Sequence, residues 1–184
     1  MPLFNVPVDV TFSRRVDRPD GTGMDWVEEG FSEIFANRKV IIFGLPGAFT
    51  PTCSTTHLPG FEAYAQQLKK DHNIDDIYCV SVNDPFVMQA WFAQQNIKNV
   101  KSIADGNGDF TRKLGLLVKK ENLNFGMRSW RYSMLVDDGE ITVAFIEDGF
   151  QDDAEGDPFE KSDVDTMKNW LDTMKADPEE ESED

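Results

Sequence analysis

The sequence predicts a single α/β domain with a central mixed β-sheet flanked by helices. Two short apolar runs are typical of strands buried on both faces, and an amphipathic helix lies between them. A further helix, a hairpin and a terminal helix follow. At 184 residues the chain is long enough for one domain with a sizeable core, and shorter than two ordinary domains need.

The first half of the predicted sheet is a strand, helix, strand unit. Its strands are KVIIFGLPG, residues 39–47, and IYCVSVND, residues 77–84. The helix between them contains Pro59 in its first turns and has apolar residues at spacings of three and four: Leu58, Phe61, Ala65 and Leu68. A connection of this length allows a right-handed crossover, so we expect the two strands to be parallel neighbours.

The second half continues with residues 84–97, which form a predicted helix with Asp84 near its N-cap. A turn follows at 105–108, and two strand-like runs around an Asp-Asp-Gly turn predict a hairpin at 131–147. A last helix covers 163–174, and its spacing predicts these core residues: Val164, Met167, Trp170, Leu171 and Met174. This order of elements suits a thioredoxin-like fold.

The charge of the chain is concentrated at its C-terminal end. The net charge is −16, and 16 acidic residues but only three basic ones occur from Glu147 onward. Such a balance argues against nucleic acid and anionic membranes as partners. We expect the folded domain to span residues 1–171 and residues 172–184 to form a disordered acidic tail.

Composition also narrows the possible chemistry. Two cysteines without a CxxC pair exclude a disulfide framework, and two histidines without an HExxH pattern argue against a metal site, so we expect no metal and no cofactor. No apolar run approaches the length of a membrane span, and the N-terminus lacks the pattern of a leader peptide. A cytoplasmic protein is therefore expected.

The most informative residue is Cys53, which lies where the loop after the first strand enters a helix. Exposed backbone N–H groups and the helix dipole favour an anion there, and hence the reactive thiolate. Thr50 is close enough in sequence to place a hydroxyl beside the sulfur, and Pro46 and Pro51 stiffen the loop. The alternative, on these residues alone, is an inert buried thiol.

The run PGAFTPTCS contains the PxxxTxxC signature of peroxiredoxins. Five stretches of the sequence resemble the type II (five-type) branch of that family, and together they extend over roughly residues 3–171. They are GLPGAFTPTCSTTHLPGF, CVSVNDPFV, RSWRYSMLVDDG, FIED and DPFEKSDVDTM. The resemblance implies a thioredoxin fold that reduces hydrogen peroxide and organic hydroperoxides. It assigns Pro46, Thr50 and Cys53 to the active-site loop, and the family's conserved arginine to Arg131. A guanidinium there offers a planar fork of donors to thiolate and peroxide, while Pro46 would shield the thiolate from water.

Four further residues are candidates for the substrate pocket. By family resemblance Phe49 and Phe125 contribute an apolar collar, although each is more simply explained as a core residue. Arg128 is either a second partner of the site or a structural arginine. His57, about one helical turn after Cys53, is expected to make structural hydrogen bonds, because a cysteine hydrolase needs a histidine placed by a third group.

The second thiol, Cys79, lies inside an apolar strand and is expected to be buried and unreactive. No cysteine follows Phe150, where some relatives carry a resolving cysteine, so the resemblance implies a one-cysteine enzyme. The stretches RSWRYSMLVDDG and DPFEKSDVDTM are most similar to bacterial forms that are fused to a glutaredoxin domain. This chain differs from those forms in its acidic C-terminal segment. Glutathione with a separate glutaredoxin is the leading reductant, and thioredoxin is the second.

The family resemblance also implies a homodimer with Phe86 and the Phe49 loop near its interface.

A different class of function stays open at this point. The alternative is a peroxide-sensing redox switch or binding module, in which oxidation of Cys53 alters a partner surface without efficient turnover.

Overall fold

The structure is a computed structural model that describes residues 4–176. Strands in this part of the chain are β1 Phe4–Asn5, β2 Phe12–Asp17, β3 Met24–Glu29, β4 Lys39–Gly44, β5 Asp76–Ser81, β6 Lys101–Ala104, β7 Leu117–Lys119, β8 Met127–Ser129, β9 Tyr132–Asp137 and β10 Glu140–Ile146. The α-helices are α1 Phe31–Ile34, α2 Leu58–His72, α3 Pro85–Gln94, α4 Asp109–Lys113 and α5 Val164–Ala176. A π-helical turn, Cys53–His57, precedes α2, and a 3₁₀ turn spans Glu121–Leu123.

The main sheet has six strands in the order β1-β10-β9-β4-β5-β6. β4 pairs with β5 and β5 with β6 in parallel, whereas β9 pairs antiparallel with both β4 and β10. This arrangement confirms the predicted mixed sheet and the parallel pairing of its first two strands. Asp84 caps α3 as expected, because its carboxylate accepts from the backbone N–H groups of Phe86 and Val87.

Apolar side chains cover both faces of the sheet. One buried cluster joins alternate residues of β4 and β5, such as Phe43 and Ile77, to α2, α3 and α5. The cluster on the other face contains Ile42 and Tyr78, with residues from α1, α4 and β2. The two short sheets, β2 with β3 and β7 with β8, were not predicted from the sequence.

Strand register brings the start of β9 to the end of β4. Gly44, the last residue of β4, pairs with Tyr132, the first residue of β9. Arg131 therefore lies immediately beyond the end of β4, beside the loop that leads to Cys53. Gly44 allows this close pairing, because a Cβ at that position would overlap the ring of Tyr132.

The terminal helix differs from its prediction in two respects. Met174 is 53% exposed and is not a core residue, whereas Val164, Met167 and Leu171 are buried as expected. The helix also continues to Ala176, five residues beyond the expected domain boundary at 171, and the rest of the expected tail lies outside the described residues. Within 4–176, no helix is both long and apolar enough to cross a lipid bilayer.

Candidate active site

Cys53 is the first residue of the π-helical turn, and its side chain is fully buried. It lies in the apolar cluster that also contains Phe43 and Leu45, the residues just before its own loop. Single π-helical turns are rare in proteins, and those that occur are often located at functional sites, where the wider turn redirects side chains. No sequence pattern predicted this turn.

Arg131 is the charged group closest to the sulfur. Its guanidinium is 1% exposed, and its Nη1 donates to Cys53 Sγ at 3.5 Å and lies 3.2 Å from His57 Nδ1. Its Nη2 donates to the carboxylate of Asp157. Burial alone would lower the pKa of Arg131, but the nearby Cys53 and Asp157 outweigh burial and raise the pKa above its ordinary value. The guanidinium is therefore a permanent positive charge at the thiol.

His57 is held between Arg131 and the backbone. Its Nε2 lies 3.1 Å from the carbonyl oxygen of Ser162, which only accepts, so Nε2 carries the proton and Nδ1 accepts from Arg131. Burial, and then the charge of Arg131, lowers the pKa of His57 well below 6.5. A neutral imidazole with both nitrogens engaged has no free position from which to activate a nucleophile.

Residues 157–162 cover this arginine and histidine from one side. The ring of Phe159 lies 5.5 Å from Arg131 Cζ and 4.8 Å from the ring of His57, measured to its centroid. Asp157 pairs with Arg131, and Ser162 accepts from His57. Sequence reasoning missed these roles. The run DPFEKSD supported the family resemblance, but nothing in it revealed which residue of the fold it contacts.

The loop before Cys53 brings Pro46, Phe49 and Thr50 to the same end of the sheet. Pro46 is buried, and Thr50 Oγ1 donates to the carbonyl oxygen of Gly47 at 2.7 Å rather than to the sulfur. Phe49 has a φ of 63° and is 50% exposed. A bulky residue in the left-handed region is a strained conformation of the kind that clusters at functional sites.

Arg128 lies beside this loop and not on the sulfur. Its Nη1 is 3.4 Å from the carbonyl oxygen of Pro46, and its Nε donates to the carbonyl oxygen of Phe125 at 3.1 Å. Its Cζ also lies 5.3 Å from the centre of the Phe125 ring. Burial lowers the pKa of Arg128, and the charge of Cys53 partly offsets that effect. Phe125 is thus a neighbour of Arg128, and Arg128 contacts the loop that carries Pro46.

Cys79 is buried in β5 and lies in the same apolar cluster as Cys53. Burial, and then the nearby Cys53, raises the pKa of the Cys79 thiol well above 9.0. Both cysteines are free thiols. Across residues 4–176, no three histidine, cysteine, aspartate or glutamate side chains are grouped as ligands for a metal ion.

Comparisons with known proteins identify the family to which this sequence and fold are similar. The redoxin family model matches residues 24–166. A peroxiredoxin of Synechocystis sp. is 52% identical over 151 residues, which cover 82% of this chain and 79% of the relative. A hybrid peroxiredoxin of Haemophilus influenzae is 52% identical over 149 residues, which cover 81% of this chain and 60% of the hybrid. The crystal structure of a Plasmodium falciparum antioxidant protein, a 1-Cys peroxiredoxin, superimposes with a TM-score of 0.87 at 36% identity, covering 92% of this chain and 98% of that one.

Proposed function

This chain belongs to the type II branch of the peroxiredoxin family and is a thiol-dependent peroxidase, and we propose that it uses Cys53 alone, recycled by glutathione and glutaredoxin. The observation that most strongly supports Cys53 as the reacting thiol is the buried contact of Arg131 Nη1 with Cys53 Sγ. A permanent cation against a thiol in an apolar pocket favours the thiolate, which is the nucleophile of peroxide chemistry.

In the proposed first step the Cys53 thiolate attacks one oxygen of the hydroperoxide. An S–O bond forms, the O–O bond breaks, and the second oxygen departs as hydroxide or alkoxide, which takes up a proton from solvent equivalent to the one that the Cys53 thiol released on ionising. The sulfur loses two electrons and becomes a sulfenic acid, while the peroxide is reduced to water or an alcohol. Arg131 stabilises the negative charge first on the sulfur and then along the breaking bond.

The other site residues have supporting roles in this proposal. Pro46 excludes water from the thiolate, and Thr50 holds the loop through its hydrogen bond to Gly47. Phe49 contributes to the rim of the pocket, and Arg128 with Phe125 holds the Pro46 carbonyl. His57 orients Arg131 through its neutral Nδ1.

The proposed second step uses an external thiol. Glutathione attacks the sulfenic sulfur, releases water and leaves a mixed disulfide, which glutaredoxin then exchanges to regenerate the Cys53 thiol. The buried state and raised pKa of Cys79 support an external rather than an internal resolving thiol. The sequence resemblance to bacterial peroxiredoxins fused to glutaredoxin supports glutaredoxin, and the match to a hybrid peroxiredoxin is consistent with that resemblance. Thioredoxin is the second candidate.

We also propose a homodimer located in the cytoplasm. Phe86 and Trp26 are 60% and 48% exposed, and their rings contact each other at 5.6 Å between centroids. An exposed aromatic pair supports a subunit contact there, and the family resemblance implies that the Phe49 loop lies near the same contact. The cytoplasm is the compartment in which glutathione and glutaredoxin keep thiols reduced.

A peroxide-consumption assay tests the proposal. The full chain is supplied with hydrogen peroxide and either glutathione with glutaredoxin or thioredoxin with its reductase, and the Cys53→Ser variant is the control. We expect turnover with glutathione and glutaredoxin, and none above background in the folded serine variant. Oxidation of Cys53 without turnover in either system would instead identify a redox switch.

A further inference from the structure

Glu147, the residue after β10, is a buried carboxylate to which the sequence assigned no role. Its side chain is 3% exposed. Its Oε1 accepts from the backbone N–H groups of Glu160, Lys161 and Ser162 at 3.0, 2.9 and 2.8 Å, and from Ser162 Oγ at 2.7 Å. Its Oε2 accepts from Glu160 at 3.1 Å. The carboxylate thus fixes three consecutive residues at the end of the 157–162 segment.

The backbone of Glu147 is hydrogen-bonded to Trp130 and Arg131, the two residues between β8 and β9. Its N–H donates to the Arg131 carbonyl oxygen at 3.1 Å, and its own carbonyl oxygen accepts from Trp130 Nε1 at 2.8 Å. Glu147 therefore joins two segments: its backbone bonds to Trp130 and Arg131, and its side chain bonds to residues 160–162. The second of these is the end of the 157–162 segment, which contains the residues that contact the Arg131 guanidinium and His57.

The 157–162 segment, whose last three residues are held by Glu147, makes three separate contacts with the groups around the thiol. Asp157 pairs with Arg131 Nη2, Phe159 lies against the guanidinium and the imidazole, and the Ser162 carbonyl accepts from His57. The carboxylate of Glu147 contacts neither Arg131 nor His57 through hydrogen bonds of its own. Within the described part of the chain, it reaches the thiol through the position of residues 157–162.

We propose that Glu147 is a positioning residue for the peroxidase reaction, which holds residues 157–162 so that Arg131 and His57 keep their geometry at Cys53. The inference depends on the role of Arg131 in the proposed function. A displacement of the guanidinium of about 1 Å is enough to cost on the order of 10²-fold in rate, since oriented donors act only at close range.

The charge state of Glu147 agrees with this role. Burial would raise the pKa of its carboxyl group, but the hydrogen bonds from Lys161, Ser162 and Glu160 outweigh burial and hold the pKa below 4.5. Glu147 is therefore an ionised acceptor at neutral pH. Charge-assisted hydrogen bonds of this kind are stronger than neutral ones and hold a segment in one position.

The test compares Glu147→Ala with Glu62→Ala, a matched control. Glu62 on α2 likewise accepts from three consecutive backbone N–H groups, those of Lys98, Asn99 and Val100, at 2.9 to 3.0 Å. Two rates are measured on the full chain: the oxidation of Cys53 by hydrogen peroxide, and the alkylation of Cys53 by iodoacetamide across pH. Unfolding in urea reports stability separately.

We expect both alanine variants to lose stability, and only Glu147→Ala to lose reactivity. Its rate with peroxide should fall by at least about tenfold, and its alkylation profile should move to higher pH as the guanidinium leaves the sulfur. Glu62→Ala should stay within about twofold of the parent in both rates. The hydrogen-bond partners of Glu62 are Lys98, Asn99 and Val100, which are not shared with the groups around Cys53. Glu147→Gln should recover most of the lost rate, because an amide oxygen can occupy the position of Oε1, which accepts most of the hydrogen bonds.

Three outcomes would overturn the inference. A folded Glu147→Ala variant that keeps the parent's rates would remove any positioning role, and equal losses in Glu62→Ala would reduce the effect to general destabilisation. If Glu147→Ala does not fold, Glu147→Asp withdraws the carboxylate by one methylene, and unchanged rates in that variant would also contradict the inference. Loss of rate in Arg131→Lys but not in Glu147→Ala would leave the proposed function intact and remove the role of Glu147. Full activity in Arg131→Lys would contradict the role of Arg131 at Cys53, whereas only the absence of turnover in the parent would contradict the proposed function.

Discussion

Arg131 Nη1 lies 3.5 Å from Cys53 Sγ, although 78 residues separate the two along the chain. The antiparallel pairing of β9 with β4 accounts for this contact, because Tyr132 pairs with Gly44 and places Arg131 beside the loop after β4. The same nitrogen also lies 3.2 Å from His57 Nδ1. One donor is thus shared between the sulfur and a neutral imidazole.

Replacement of Arg131 by lysine is expected to reduce the rate of Cys53 oxidation strongly. A lysine keeps the positive charge but cannot reach Cys53, His57 and Asp157 with one planar group. The loss should be on the order of 2–4 kcal/mol of transition-state stabilisation, as for a preorganised oxyanion donor. Stopped-flow measurement of the peroxide reaction gives the value.

Arg128→Lys is the matched control for that substitution. The Arg128 guanidinium donates to the carbonyl oxygens of Pro46 and Phe125 rather than to the sulfur. The rate of Cys53 oxidation should therefore fall by less than in Arg131→Lys. A larger loss in Arg128→Lys than in Arg131→Lys would mean that the two arginines have been assigned in the wrong order.

Gly44→Ala is expected to lower both stability and activity. The added methyl overlaps the ring of Tyr132, which is fully buried, and the shift it forces is passed directly to Arg131. Overpacking of this kind costs about 1–3 kcal/mol. Urea unfolding and the peroxide rate should change together. Gly60→Ala, where the nearest atom to the new methyl is 3.4 Å away, is the control and should leave both values nearly unchanged.

Cys79→Ala should retain full turnover with glutathione and glutaredoxin. The Cys79 thiol is buried in β5 with a pKa raised by burial, so it is a poor attacking thiol. Mass spectrometry of non-reduced digests of the peroxide-treated parent should show a sulfenic acid or a glutathione adduct on Cys53. A Cys53–Cys79 disulfide as the main product, with loss of activity in the variant, would make this a two-cysteine enzyme.

The neutral state of His57 has a consequence for stability in mildly acidic solution. Because burial and Arg131 lower its pKa in the folded chain well below 6.5, the unfolded chain binds more protons below that pH. The free energy of unfolding should therefore decrease as the pH falls from 6.5 toward 5, by up to about 1.4 kcal/mol for each pH unit from this residue. Urea unfolding of the parent and of His57→Gln measures the difference. An equally steep decrease in both proteins would show that other groups cause it.

Local patterns in the sequence were sufficient to predict the elements around the site. The apolar runs before and after α2, its three-and-four spacing and the capping residue Asp84 predicted a parallel strand pair and two helices, and the structure has them. These signals are local, because burial on both faces of a strand leaves a continuous apolar run in the sequence, and burial on one face of a helix leaves a period of three to four residues. Met174 shows the limit of such a period, since its spacing is helical but the helix end is exposed.

Sequence motifs alone predicted the candidate residues: Cys53 at a helix entry, and Arg131 as its partner from the family resemblance. The distances and contacts between those groups depend on tertiary structure. Strand register set the distance from Arg131 to Cys53, and the path of the chain after β10 brought Asp157, Phe159 and Ser162 onto Arg131 and His57. It also directed the Thr50 hydroxyl to Gly47 rather than to the sulfur. These contacts join residues far apart or depend on one loop conformation, so no periodic pattern records them.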